Sequence, residues 1–145
     1  MKAFLAALFI AATVITSFAE DTNAVPPSPS IAKDSRCFEL RTYHAAPGKL
    51  EVLNARFRDH TCALFKKHGM EIVGFWIPTD KDKGAENTLV YMLVHKSREE
   101  AKKSWEAFQN DPEWKKVRAE SEVNGKLTDK VESVFLAATD YSPLK

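Results

Sequence analysis

Residues Phe38-Glu39-Leu40-Arg41-Thr42-Tyr43 alternate apolar and polar side chains, and Pro47-Gly48-Lys49-Leu50 then turns the chain into a long amphipathic run. Successive side chains of a strand point to opposite faces, so this alternation is what a half-buried strand requires. Phe38, Leu40 and Thr42 make one face. Glu39, Arg41 and Tyr43 make the other, which places a carboxylate, a guanidinium and a phenol in line.

Leu50, Leu53, Phe57, Thr61, Leu64 and His68 recur at three- and four-residue steps, which predicts a helix over 49–68 with one apolar stripe. Gly69 stands where a left-handed residue caps such a helix, behind Lys66, Lys67 and His68 in the last turn. A strand is expected over 71–77, broken by Pro78, and a charged exposed loop over 79–86. Residues 87–95 are β-branched and aromatic, the second strand of a hairpin. Ser97 and Glu100 have the spacing of a capping box, and Ala101, Trp105 and Phe108 line one side of the helix that follows. Asp111-Pro112 restarts that helix, with Asp111 as cap and Pro112 at the first helical position, until Asn124-Gly125 stops it. Residues 130–137 form the last strand and 140–143 a tail.

The order strand, helix, strand, strand, helix, strand predicts an α+β, ferredoxin-like βαββαβ fold, an antiparallel sheet with helices on one face. Phe38 and Leu40 are expected to meet the helices. Both parities of 87–95 are apolar, Leu89, Tyr91 and Leu93 against Val90, Met92 and Val94. The uncovered sheet face is therefore apolar too, and a face of that kind finds a partner. The expected assembly is a homodimer, two sheets packed face to face around a barrel-like core.

The folded domain is expected over 36–145, a size that suits one core. Ahead of it, Lys2, an apolar run from Ala3 to about Ile15 and Ser17-Phe18-Ala19 have the layout of a secretory signal peptide over 1–19. The run is shorter than the about 20 apolar residues of a membrane span and is interrupted by Thr13, Thr16 and Ser17. Residues 20–35 are rich in Pro and Ser with few large apolar groups, and read as a disordered linker. The expected location is periplasmic or secreted, with no stable membrane insertion after cleavage. The chain carries 21 Lys plus Arg against 20 Asp plus Glu, and loss of Lys2 balances the signs. The basic pairs at 66–67, 102–103 and 115–116 have acids nearby, which argues against a nucleic-acid partner.

The strand 38–43, Pro47-Gly48-Lys49-Leu50, His68-Gly69 and Val73-Gly74-Phe75-Trp76 resemble a NIPSNAP domain. So do Asn87-Thr88-Leu89-Val90-Tyr91, Ser104-Trp105-Glu106-Ala107-Phe108, Asp111-Pro112-Glu113-Trp114 and Val134-Phe135-Leu136. The resemblance covers nearly all of the expected domain. It implies a dimeric α+β barrel, the superfamily that also holds cofactor-free monooxygenases, small isomerases and haem-binding members. Eukaryotic relatives are linked to mitochondria and vesicle trafficking, a setting from which an exported chain departs.

Two roles are open for Glu39, Arg41 and Tyr43. The preferred one is structural, cross-strand ion pairs that hold the sheet and the dimer. The other is a site for a carboxylate or enolate, with Arg41 supplying a fixed fork of donors. Trp76 and Tyr91 complete the candidate ligand-binding set Glu39, Arg41, Tyr43, Trp76 and Tyr91. Arg41, Tyr43 and His95 are the candidate catalytic residues, His95 as acid–base because it stands just before a capped helix. Trp76, Trp105, Trp114, Phe75 and Phe108 offer an apolar pocket, although Trp105 and Phe108 at helical spacing are the pattern of a core.

No metal is expected: His60 and His68 are roughly 12 Å apart along a helix, and no His-x-x-x-His or Cys-x-x-Cys occurs. His44 and His95 end their strands and would meet only in a staggered register. No cofactor is expected either, since the chain has no Gly-rich phosphate loop and no Gly-x-Ser-x-Gly. Cys37 and Cys62 fall at similar heights but on opposed facings, which leaves a disulfide open.

Two functions follow. One is a dimeric exported module that binds a small apolar or carboxylate ligand or a partner protein. The other is a small cofactor-independent monooxygenase or isomerase. A water-poor pocket joining Arg41, Tyr43 and His95 would favour the second.

Overall fold

The computed structural model describes residues 27–145. The expected signal peptide and residues 20–26 of the expected linker lie outside the described residues. Strands β1 (Cys37–Ala45), β2 (Glu71–Trp76), β3 (Thr88–His95) and β4 (Thr128–Ala137) form one antiparallel sheet in the order β2-β3-β1-β4. Helix α1 (Leu50–Arg56), a π-helical turn (Phe57–Thr61) and α2 (Cys62–Lys67) run on without a break, and α3 (Arg98–Asn110) and α4 (Pro112–Ser121) follow β3. This is the expected βαββαβ arrangement.

The facing of β1 is the reverse of the expectation. Glu39, Arg41 and Tyr43 look toward the helices, while Phe38 packs with Val94, Ala138, Val73 and Met92 on the other face. Register decides this. Arg41 lies opposite Tyr91 and Tyr43 opposite Leu89, and Leu89, Tyr91 and Leu93 are the parity of β3 that the helices bury. Tyr43, Phe57, Phe65, Phe75 and Tyr91 then pack ring against ring, with centroids 5.2 to 6.1 Å apart. Each such pair contributes about 0.5–1.5 kcal/mol beyond its buried area. A polar strand face enters the core only where its groups are satisfied, and alternation does not show whether they are.

The helix ends follow their sequence signals. Gly69, at a φ of 73°, closes α2: its N–H donates to the Lys66 carbonyl at 3.1 Å and the Met70 N–H to the Phe65 carbonyl at 2.9 Å. Ser97 Oγ accepts the Glu100 N–H at 3.1 Å, but the Glu100 carboxylate turns to Lys103 at 2.9 Å, so the capping box forms on one side. Asp111 Oδ1 accepts the Glu113 N–H at 2.8 Å. Its Oδ2 takes the Lys67 ammonium at 2.8 Å and His68 Nε2 at 2.7 Å, tying the end of α2 to the α3–α4 joint. Lys67 first, then His68, holds the Asp111 carboxyl well below the usual carboxylate range. Asp111→Ala is expected to lower the melting temperature by roughly 5 °C, and Asp111→Asn by less because its amide oxygen still caps. Circular dichroism melts of both variants check this order.

Residues 30–35 of the expected linker join the folded unit. The Ala32 N–H donates to the Ala138 carbonyl at 2.9 Å, and the Asp140 N–H to the Ser30 carbonyl at 2.8 Å. Both cysteines are free thiols. Cys37 lies opposite His95, whereas Cys62 borders a cavity with Ile77 and Leu89 at the far end of β3. Six residues of strand, roughly 20 Å, part those ends. The similar heights expected for the two cysteines are not found.

Candidate functional site

Glu39, 1% exposed, sits in the central strand and receives four donors. Arg41 Nη1 reaches its Oε1 at 2.6 Å and Ser133 Oγ of β4 does so at 2.7 Å. His95 Nε2 of β3 and Trp105 Nε1 of α3 reach Oε2 at 2.9 and 2.8 Å. Burial pushes the carboxyl pKa up, but the bonds from His95, Trp105, Ser133 and Arg41 outweigh it and bring it to about 2. Glu39 is therefore an anion that only accepts, and His95 carries its proton on Nε2. The Glu39–Arg41 pair runs along β1 and not across strands; its cross-strand partners are His95 and Ser133.

The Arg41 guanidinium carbon lies 4.2 Å from the Trp105 ring centroid and 5.7 Å from that of Tyr43. Burial opposes its charge, and the phenols of Tyr91 and Tyr43 with the Glu39 carboxylate more than restore it. Beneath it Tyr91 is fully buried, and its hydroxyl has no hydrogen-bond partner among the described residues. Burial pushes this phenol well above its usual pKa; the Tyr43 phenol acts the same way, although the two hydroxyls do not meet hydrogen-bond geometry.

Arg41 and Tyr43 open into a cavity of about 510 Å³ between α3–α4 and the β1–β4 side of the sheet. Trp105, Phe108 and Trp114 form its aromatic wall. Arg56 is the second guanidinium there. Its side chain, 5% exposed, donates from Nη1 to Glu122 at 3.0 Å and to Ser121 at 3.3 Å, and stacks on Trp114 at 5.2 Å. Arg56 ends α1 on its buried face, three residues after Leu53, the π-helical turn begins at the buried Phe57, and the Thr61 hydroxyl donates to the Arg56 carbonyl at 3.2 Å. Inserted turns of this kind recur at functional sites.

The candidate residues divide accordingly. Arg41 and Tyr43 line the cavity, Glu39 stands behind Arg41, and Tyr91 lies below it in the core. His95 is buried behind Glu39 and does not reach the cavity. Trp76 is not part of the group. It lies 50% exposed across Gly74 at the β2 edge and, with Phe75, borders a separate cavity of about 450 Å³. His44 pairs with Thr88 and His95 with Cys37, so these histidines stand at opposite ends of β1. Arg56 and Ser133 are missing from the sequence-based set. Arg56 stands three residues after Leu53 and shares the helix face of the apolar stripe, where a guanidinium gives no apolar signal. Ser133 left one signal, a hydroxyl between Val131 and Phe135 on one strand face. No three His, Cys, Asp or Glu side chains among the described residues group as a metal site, and none of the described helices is long and apolar enough to cross a membrane.

The NIPSNAP family pattern matches residues 38–143. The chain belongs to the NIPSNAP family. The match spans every residue of the Glu39 network in this NIPSNAP domain. A NIPSNAP family protein of unknown function from Agrobacterium tumefaciens superposes with a TM-score of 0.69 at 20% identity, covering 80% of this chain and 99% of that one. An uncharacterised NIPSNAP domain protein from Burkholderia xenovorans gives 0.62 at 21% identity, covering 74% and 98%. At these identities the likeness concerns the fold. No curated protein matches the chain.

Proposed function

We propose that this NIPSNAP protein is an exported, dimeric binding module that holds a small carboxylate-bearing ligand in the cavity fronted by Arg41. One observation carries the reading: Glu39 fixes Arg41 by a single Nη1 bond, and the Arg41 side chain lines a cavity walled by aromatic rings. Such a fork, pre-oriented and stacked on an indole, suits a planar carboxylate. Placement on four elements supports a rigid site, since Arg41 stands on β1, Trp105 on α3 and the partners of Glu39 on β3 and β4. The reading as a cofactor-independent monooxygenase or isomerase draws less support, because His95 spends its Nε2 proton on Glu39 and lies outside the cavity.

Small carboxylates such as benzoate are expected to raise the melting temperature of the wild type. Arg41→Met is expected to melt a few degrees lower, because Glu39 loses one of four donors, and to lose that response. A thermal-shift series reads both. A carboxylate response that survives Arg41→Met would count against the site, and a lowered melting temperature would then assign Arg41 to structure alone.

A further inference from the structure

We infer that the ligand of this cavity is an aromatic dicarboxylate, a proposal that rests on the carboxylate-site reading above. Charge comes first. Arg41, Arg56, Lys115 and Arg118 line the cavity, and the carboxylates paired with them are Glu39 behind Arg41 and Glu122 between Arg56 and Arg118. Four cations against two carboxylates leave a net excess of two positive charges around the cavity, with Lys115 and Arg118 on its exposed side. A dianion neutralises that excess, and a monoanion neutralises half of it.

Shape decides the body of the ligand. Arg41 stacks on Trp105 at 4.2 Å and Arg56 on Trp114 at 5.2 Å. Phe108 bridges the two indoles, with centroids 5.6 Å from Trp105 and 4.5 Å from Trp114. The guanidinia thus stand at the two ends of one strip of aromatic rings. A ligand that reaches both with charge-assisted bonds lays its middle along that strip, where a flat ring packs with the least loss of rotational freedom. Inorganic phosphate would place its whole charge at one end and leave the strip uncovered. The volume, about 510 Å³, is within the range of small-molecule sites.

Titration calorimetry of the purified chain with terephthalate, benzoate, adipate and inorganic phosphate tests the inference. Terephthalate is expected to bind about tenfold more tightly than benzoate, the worth of a second charge-assisted contact. It is expected to exceed adipate and phosphate by a similar factor, since neither covers the rings. Arg56→Met should bring terephthalate down to the affinity of benzoate. Lys115→Met, at an exposed position that leaves the fold intact, should weaken terephthalate about threefold. Equal binding of terephthalate and benzoate, or of terephthalate and either adipate or phosphate, overturns the aromatic dianion. So does terephthalate binding untouched by both variants. If benzoate binds and needs Arg41, the carboxylate site stands even when the dianion falls; if none of the four probes binds, both readings fall together.

Discussion

Glu39→Leu is expected to cost about 3–5 kcal/mol of stability, the range for removing one partner from a buried charged network. The leucine fills the space, but His95, Trp105, Ser133 and Arg41 all lose their acceptor at once. For a domain of this size the melting temperature should fall by roughly 15 °C. Glu39→Gln keeps one acceptor oxygen while pointing an amide N–H₂ at a donor, so its loss should be smaller. Calorimetric melts of both variants check the order, and a wild-type melting temperature in Glu39→Gln would show that the charge itself contributes little. The same residue sets an acid limit. Its folded-state pKa, about 2, is below the ordinary 4.5, so the unfolded chain binds this proton more readily than the folded one. The stabilisation is complete above the unfolded pKa and is lost as pH falls from about 4.5 toward 2. Wild-type melts over that window should drop more steeply than those of Glu39→Leu, which has no carboxyl to titrate there.

Met92→Lys is expected to split the proposed dimer into monomers or to unfold the chain. Leu40, Val90, Met92 and Val134 share the sheet face that the helices leave uncovered, and Val134 is 53% exposed in the single chain. A second sheet packed on this face would bury Met92, and an unpaired ammonium there costs several kcal/mol. Light scattering coupled to size exclusion should return a two-chain mass for the wild type at micromolar concentration and a one-chain mass, or aggregate, for the variant. A well-folded wild-type monomer under those conditions would end the dimer reading and leave the apolar face without an occupant.

The kinds of element and their order were legible in the chain because local rules govern them. Alternation made β1, Gly69 and Asp111-Pro112 punctuated the helices, and the β-branched run made β3; each depends on neighbours a few residues away. The family was legible for the same reason, since its motifs are short and occur in order. Which face of β1 enters the core was not local. It required the register of Arg41 on Tyr91 and the arrival of Trp105, 66 residues from Glu39, as a donor to the carboxylate. Arg56 was hidden because a guanidinium gives no apolar signal, although it stands three residues after Leu53 on the buried face of α1. Trp76 carried the signature of a pocket residue yet lies on another surface, because composition does not specify facing at a sheet edge. By itself, then, the sequence determined the βαββαβ order, the caps and the family, all set by short-range backbone preferences. Only the tertiary structure decided that a strand face of carboxylate, guanidinium and phenol could be buried, because the donors that satisfy Glu39 come from β1, β3, α3 and β4 and meet only when the chain has folded.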